Sequence, residues 1–399
     1  MSGAPTITDL PRIPLYSEEF AVDPHVVYAR MRQSYGPLVP VELSPGIPAT
    51  LVIGYWTAVR IAHDHEHFSA DPRRWQQAVP PDCPVLPMLE YRPNALRSAG
   101  PAHTRFRRAN LDSIDKIDLY RLHNDIEGIA VPLINAFCER GEADLISQYT
   151  FPVTFAVLNT MVGCPAEIGH QVAEGMAMMF EGKYAAEGSA LFARALADLV
   201  SLRRAEPGDD LATRLVNHEA ELTDEEMVHQ LVTIYGAGIE PLQNLISNTL
   251  LLMLTDSRFS GTRAPTTNDA LNELLFKDPP LANFGITYPR HPIMVDGVWL
   301  PADQPVVISM AACNNDPAIE GEYANNNSHL AWGVGPHVCP AKSVAYIVAQ
   351  NAIDQLLDAL PDIRLGAAAD ELTWRPGPFH RSLAALPVEF HPAQQLTVP

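Results

Sequence analysis

Residues 329–342 read HLAWGVGPHVCPAK. Gly333 and Gly335 permit tight, left-handed turns in a loop that ends by delivering Cys339 into a helix. Backbone N–H groups at a helix start favour negative charge, so a thiolate there is stabilised. A thiolate presented this way can ligate a soft metal centre or a heme iron from one side. Taken singly, a cysteine is more often a buried structural residue. It is the whole string that favours a ligand.

Two other stretches carry groups that could do chemistry. In GPAHTRFRR (100–108), His103 and Arg107 stand at i and i+4 and so share one helix face, although a solvated basic helix end has the same pattern. In HDHEH (63–67), His63, His65 and His67 with two acids look like a metal tract, but the stretch reads more simply as the exposed end of a short helix. A third stretch, YGAGIEPLQNLISNTL (235–250), interrupts a long apolar helical pattern with Gly236, Gly238 and Pro241. An interior proline removes a helical hydrogen bond and costs about 3 kcal/mol.

These groups need elements to hold them. Residues 24–34 predict an amphipathic helix, followed by short strands at LVPVEL and ATLVIGY with SPGIP as the turn. TAVRIAHD returns to helical spacing, and residues 71–101, rich in Pro and Arg, form a long irregular loop. From 102 to about 255 the pattern is mostly helical, with a break at RRAEPGDD and a Thr N-cap in LTDEE. A helix at NDALNELLF, strand-like pieces at IMVDGVWL and QPVVISM, a helix at AKSVAYIVAQNAIDQLLDAL and a β-like LAALPVEF complete the chain. The fold class is mainly α with small β-sheets (α+β). One unit is expected over 1–399, with β structure near 36–75, 284–310 and 371–392 and helices near 100–280 and 339–360.

Composition narrows the function classes. The chain has 399 residues, 47% hydrophobic and 19% charged, with a net charge of −20 that argues against nucleic acid as a partner. Its N-terminus lacks a basic and then apolar signal pattern, and no apolar run is long enough for a membrane span. Cys83, Cys138, Cys164, Cys313 and Cys339 are widely spaced and form no CxxC pair. A reduced, cytoplasmic protein is the expectation.

The loop at 329–342 resembles the heme-binding loop of the cytochrome P450 family, Phe-Gly-x-Gly-x-His/Arg-x-Cys-x-Gly. Gly333, Gly335, His337 and Cys339 match, Trp332 stands for the Phe and Ala341 for the last Gly. The resemblance extends over nearly the whole chain, through GPAHTRFRR, RRAEPGDDLATRLV, NNDPA and HFSADPR. It implies heme b (iron protoporphyrin IX), Cys339 as the iron ligand, and Trp332, Gly333, His337, His103 and Arg107 as heme contacts. YGAGIEP is similar to the central helix on the distal heme face, where the family has Ala/Gly-Gly-x-Asp/Glu-Thr. Ala237, Gly238 and Glu240 match, and Pro241 takes the place of the Thr.

That Thr hydroxyl takes part in proton delivery during dioxygen activation, so here either Glu240, Gln243, Asn244 or water substitutes, or Pro241 only enforces the distortion that a distal pocket needs. Two further departures follow from the resemblance. The family's Glu-x-x-Arg pair reads Glu273 and Phe276, with Asn315 for another common Arg, so Glu273 needs a new partner and the anchor is rebuilt from packing and neutral hydrogen bonds. The heme-carboxylate Arg expected at 287 is Thr287, with Arg290 as the substitute.

By family position the substrate pocket is lined by the 74–95 loop, Tyr235, Ile239, Phe284, Ile286 and Phe379, an aromatic wall suited to a small flat molecule. The implied activity is a monooxygenase or oxidase that tailors a secondary metabolite with electrons from a ferredoxin and ferredoxin reductase. Radical coupling of an aromatic substrate such as a cyclic dipeptide, peroxide-driven oxidation, and a heme-binding protein without turnover are the alternatives.

Overall fold

Thr223 and Glu226 cap each other: Thr223 Oγ1 accepts from the Glu226 N–H, and the Glu226 carboxylate accepts from the Thr223 N–H. This box starts a helix that runs unbroken through Pro241, from Asp224 to Thr255, in the computed structural model, which describes residues 6–181, 185–259, 264–319 and 326–398. The helix survives its proline because of what it buries. Leu231, Ile239, Leu245, Ile246 and Leu250 are each 2% exposed or less. Each such side chain contributes roughly 1.5–3 kcal/mol, so together they outweigh a lost turn costing about 3 kcal/mol.

In chain order the principal helices are α1 (Pro24–Tyr35), α2 (Tyr55–His63), α3 (Gly100–Ile114), α4 (Leu119–Asn135), α5 (Phe151–Val162), α6 (Ala166–Glu181), α7 (Ala185–Ala205), α8 (Leu211–Val216), the long helix α9 (Asp224–Thr255), α10 (Thr267–Lys277) and α11 (Lys342–Ala359). α9 packs against α5, α7, α10 and α11, which makes it the axis of the helical part. The break expected at RRAEPGDD falls between α7 and α8, where Asp210 caps α8 through the Thr213 N–H. Helical structure expected through 182–184 and 260–263 lies outside the described residues. No described helix is long and apolar enough to cross a membrane.

The strands are β1 (Ile13–Pro14), β2 (Leu38–Ser44), β3 (Ile47–Val52), β4 (Phe68–Ser69), β5 (Glu142–Asp144), β6 (Gly285–Pro289), β7 (Ile293–Val295), β8 (Val298–Leu300), β9 (Val306–Ile308), β10 (Arg364–Leu365) and β11 (Pro387–Glu389). β1-β2-β3-β9-β6-β4 form one sheet, β10-β11-β5 a second and β7-β8 a hairpin. The hairpin turns on Asp296 and Gly297, both at positive φ, as a two-residue Asp-Gly turn requires. β5 differs from the sequence expectation of helix throughout 100–280. Three residues are too few to show alternation, and β5 exists because the C-terminal β11 pairs with it.

The 71–101 segment is irregular apart from short helical turns at Arg73–Gln76 and Leu86–Leu89. It is not loosely held. The buried Gln230 of α9 donates to the Pro93 carbonyl and accepts from Asn110, and Asn94 donates to Thr233 Oγ1 at 2.6 Å. The segment is therefore fastened along α9 just before the glycines.

Candidate active site

The cysteine loop is shaped by its glycines. Gly333 and Gly335 both have φ of +76°, and a side chain on Gly335 would drive its Cβ to 2.5 Å from the Ala62 carbonyl of α2. The loop closes on itself where the Cys339 N–H donates to the Trp332 carbonyl at 2.7 Å. Cys339 is a free thiol three residues before α11. Burial raises its pKa, while the Ala341 N–H, Arg107 and Lys342 oppose that shift. All three oppose it by favouring the thiolate.

Beside the thiol are two histidines and an arginine that pair with no carboxylate among the described residues. The His103 and His337 rings lie 4.1 Å apart. His103 is buried with its Nε2 unpartnered, and the backbone of Ala95 faces His337 and favours its charged form. Burial, Arg107 and His65 lower the His103 pKa, and burial, His103, Arg107 and Arg97 push that of His337 down to about 3. His103 and Arg107 share the expected face of α3, and burial and the Arg107 charge work against a charge on His103. Arg107 is half-buried and makes no ion pair or hydrogen bond among the described residues. Trp332 keeps a buried Nε1 without a partner. Arg290, expected to join this group, is exposed instead, and its backbone bonds to His67 and Arg74 on the outer edge of the sheet. Residues 63–67 form no metal cluster among the described residues.

α9 is buried along most of its length and opens at one point. Gly236 and Ala237 are exposed, and a side chain on Gly236 would meet nothing within 4 Å. Pro241 has no N–H, so the Ala237 carbonyl lacks its i+4 donor. One turn on, Glu240 Oε1 accepts from Arg375 Nη2 at 2.6 Å, and Glu240 Oε2 lies 3.9 Å from His380 Nδ1. Arg375 also donates to Ser382 Oγ, which donates to Asn244 Oδ1 at 2.9 Å. Burial lowers the His380 pKa, and Glu240 pulls it the other way.

The expected pocket residues divide into two sets. Tyr235 and Ile239 do not line the opening: Tyr235 is 0% exposed, donates to Asn159 Oδ1 and packs on Phe155 and Phe192. At i and i+4 they share a side of α9 that is buried and faces the packing of α5 and α7, whereas Gly236 and Ala237 are exposed. Phe284 is half-buried, edge-on to Phe379 at 5.1 Å and stacked on His380 at 6.2 Å. Phe379 and Ile286 are buried behind it in the sheet core. Arg97, Arg375 and Ser382 were not anticipated. They lie in irregular segments where no periodicity shows which way a side chain points.

No family model matches the chain. Full-length relatives are nonetheless clear. The chain is 28% identical to the cytochrome P450 monooxygenase PikC of Streptomyces venezuelae over 98% of this chain and 95% of that protein. It is 27% identical to a vitamin D(3) 25-hydroxylase of Pseudonocardia autotrophica, covering 97% and 98%. The solved structure of CYP154C4 from Streptomyces sp. W2061 superposes with a TM-score of 0.84 at 24% identity, covering 96% of this chain and 99% of that one. The chain belongs to the cytochrome P450 family. It is a monooxygenase of that family, and its cofactor is heme b.

The residues present fit that cofactor. Such a heme would take a thiolate for its iron and cations or N–H donors for its two carboxylates. The chain offers Cys339, and beside it Arg107 and the unpartnered His103 Nε2, with no carboxylate among them. Cys339 would hold the iron, and a thiolate so placed pushes electron density toward O–O cleavage.

The proximal anchor of this P450 replaces the missing Arg with neutral packing and amide bonds at Phe276, Asn314 and Asn315 and gives Glu273 other cations. Phe276 packs edge-on to His329 at 5.1 Å. Asn314 donates to the Leu275 carbonyl and accepts from the Leu330 N–H, and Asn315 donates to the Lys277 and Ala311 carbonyls. Glu273 meets its expected need for another partner with Arg258 at 2.7 Å and Lys277 at 2.6 Å.

Proposed function

We propose that this P450 oxidises a small aromatic secondary metabolite in the cytoplasm, using dioxygen and electrons from a separate ferredoxin and its reductase. The observation that carries the reading is the joining of two half-sites by one segment. Residues 93–97 are fastened to α9 through Gln230 and Thr233, and the backbone of Ala95 in the same segment faces the His337 ring of the cysteine loop. The open turn of α9 and the Cys339 thiol are thereby held as two sides of one site. Phe284 and His380 give that site an aromatic flank, which suits a flat substrate.

In this reading Cys339 Sγ holds the iron, with Trp332 and Gly333 shaping its loop. Ala237 leaves room over the distal face, while Gly238 lets α9 pack closely on Leu158 of α5. Glu240 is the acidic group of that face, held in place by Arg375. The Ala237 carbonyl, freed by Pro241, accepts a hydrogen bond from a donor in the opening. Nothing at Pro241 itself can hold or pass a proton.

A second reading has a specific observation behind it. With no hydroxyl at Pro241 and Glu240 tied to Arg375, oxidation driven by hydrogen peroxide avoids most of the proton delivery that dioxygen requires. The test combines binding and turnover. Purified heme-loaded protein is screened for substrate-induced Soret shifts against aromatic metabolites, cyclic dipeptides included. Each hit is then run with ferredoxin, reductase and dioxygen, and separately with peroxide. Turnover only with peroxide selects the second reading, and no turnover with either leaves a heme-binding protein. A carbon monoxide spectrum of the reduced protein that is the same in wild type and Cys339→Ser would remove the thiolate assignment.

A further inference from the structure

We propose that Arg97 holds a heme carboxylate in this chain, at the position where related P450s use the strand arginine that is Thr287 here. The inference rests on the heme reading and adds a residue that neither the motif nor the family pattern assigns.

Arg97 is 3% exposed, an extreme burial for a guanidinium. Among the described residues no carboxylate pairs with it. Its Nη2 donates to the Met88 carbonyl, and its Cζ sits 5.1 Å over the Phe284 ring. Its backbone N–H is fixed by Asn94 Oδ1 at 2.9 Å. One carbonyl and one ring face leave most of its five donors without an acceptor, and burying a cation uncompensated is costly. Such a residue is kept when a missing anion completes it.

Its surroundings locate that anion. On one side are Phe284 and Tyr288, which bracket Thr287 in sequence and whose positions Arg97 senses directly. On the other is α3, which starts three residues on at Gly100 and carries His103, whose ring lies 4.1 Å from that of His337 in the cysteine loop. Arg97 thus lies between strand β6 and the cysteine loop. Thr287 is turned to another task, its Oγ1 donating to the Ser69 carbonyl at 3.1 Å. Arg290 is at the surface. The arginine lost from the strand has been replaced from the neighbouring loop, and a guanidinium suits the task because its fork matches a carboxylate.

The test compares heme with heme dimethyl ester, whose carboxylates are masked. Wild type, Arg97→Gln, Arg97→Lys and Arg290→Gln are loaded with each, and heme loss to apomyoglobin is timed. Arg97→Gln should lose ordinary heme at least ten times faster than wild type, with Arg97→Lys between them and Arg290→Gln unchanged. With the dimethyl ester the wild type and Arg97→Gln should release at equal rates, which a merely structural role would not produce. Adding Thr287→Arg to Arg97→Gln should slow the loss of ordinary heme. If Arg97→Gln fails to fold, the Arg97→Lys pair of rates decides by the same criterion. Equal retention of ordinary heme by wild type and Arg97→Gln, or a penalty that persists with the ester, overturns the role of Arg97 while leaving the heme reading intact. A wild type that takes up no heme overturns the cofactor reading itself.

Discussion

Arg375 Nη2 lies 2.6 Å from Glu240 Oε1, so a loop near the C-terminus grips the distal helix at its one acidic group beside the opening. The same guanidinium reaches Ser382, and Ser382 reaches Asn244, one helical turn beyond Glu240. The grip therefore spans Pro241, the position where α9 has one hydrogen bond fewer. The loop offsets the weakness and fixes Glu240 in one direction. It also holds Glu240 next to Pro241, where the family's hydroxyl is missing.

Glu240→Gln keeps an oxygen for Arg375 and removes the exchangeable proton. General acid and base groups contribute roughly 10²–10⁴-fold, so product formed per electron pair consumed should fall by about 100-fold in the dioxygen reaction. Heme content and the carbon monoxide spectrum should stay at wild-type values. The peroxide reaction should fall far less. An unchanged product yield with dioxygen would take Glu240 out of proton handling.

Pro241→Thr tests the same turn from the other side. The substitution returns an N–H to the Ala237 carbonyl and adds the hydroxyl. A helix-interior proline is about 3 kcal/mol worse than alanine and threonine well under 1, so stability should rise by roughly 2 kcal/mol. Denaturant unfolding measures that gain. Product yield per electron pair with dioxygen should rise as well. A more stable protein with an unimproved yield would show that another group already supplies what the hydroxyl does elsewhere.

How much of this was legible in the sequence depended on how local each signal is. The cysteine loop lies within fourteen residues, and its glycines and thiol declare their purpose by spacing. The start of α9 was equally plain, because Thr223 and Glu226 cap each other across three positions. The phase of α9 was not. A period of 3.6 shows that Tyr235 and Ile239 share a side, but only α5 and α7 decide that this side is core rather than pocket. Glu240 and Arg375 are 135 residues apart, and Arg97 sits in an irregular segment whose course is set by hydrogen bonds to Gln230 and Thr233. Contacts of that kind leave no periodic trace.

His329 makes stability depend on pH. Burial first, then Lys342, push its pKa from the ordinary 6.5 down to about 4. Below pH 6.5 the unfolded chain takes up a proton at this residue that the folded protein refuses. Stability is therefore complete above about 6.5, falls as the pH drops, and has lost the whole contribution once the pH is below about 4. Between pH 7 and pH 5 the wild type should lose about 2 kcal/mol more than His329→Gln, read from urea unfolding at each pH. Parallel losses in the two proteins would mean that His329 is charged in the folded state.

Phe276→Arg restores the residue that the family carries and should nevertheless destabilise this protein. Phe276 is 3% exposed and packs on the His329 ring, so removing it forfeits a buried aromatic contact worth roughly 3 kcal/mol or more. The new guanidinium would look for Glu273, whose Oε1 already accepts from both Arg258 and Lys277. It would also meet Asn314 and Asn315, whose side-chain N–H groups are committed to the carbonyls of Leu275, Lys277 and Ala311. A buried cation without a free carboxylate costs more than it returns. Freeing Glu273 with Arg258→Ala and Lys277→Ala in the same chain should recover part of the loss, because only then can the family's ion pair form. Urea unfolding of the single and triple variants measures both steps. If Phe276→Arg alone proves neutral, the packing and amide bonds do not form the anchor, and Glu273 can exchange partners freely.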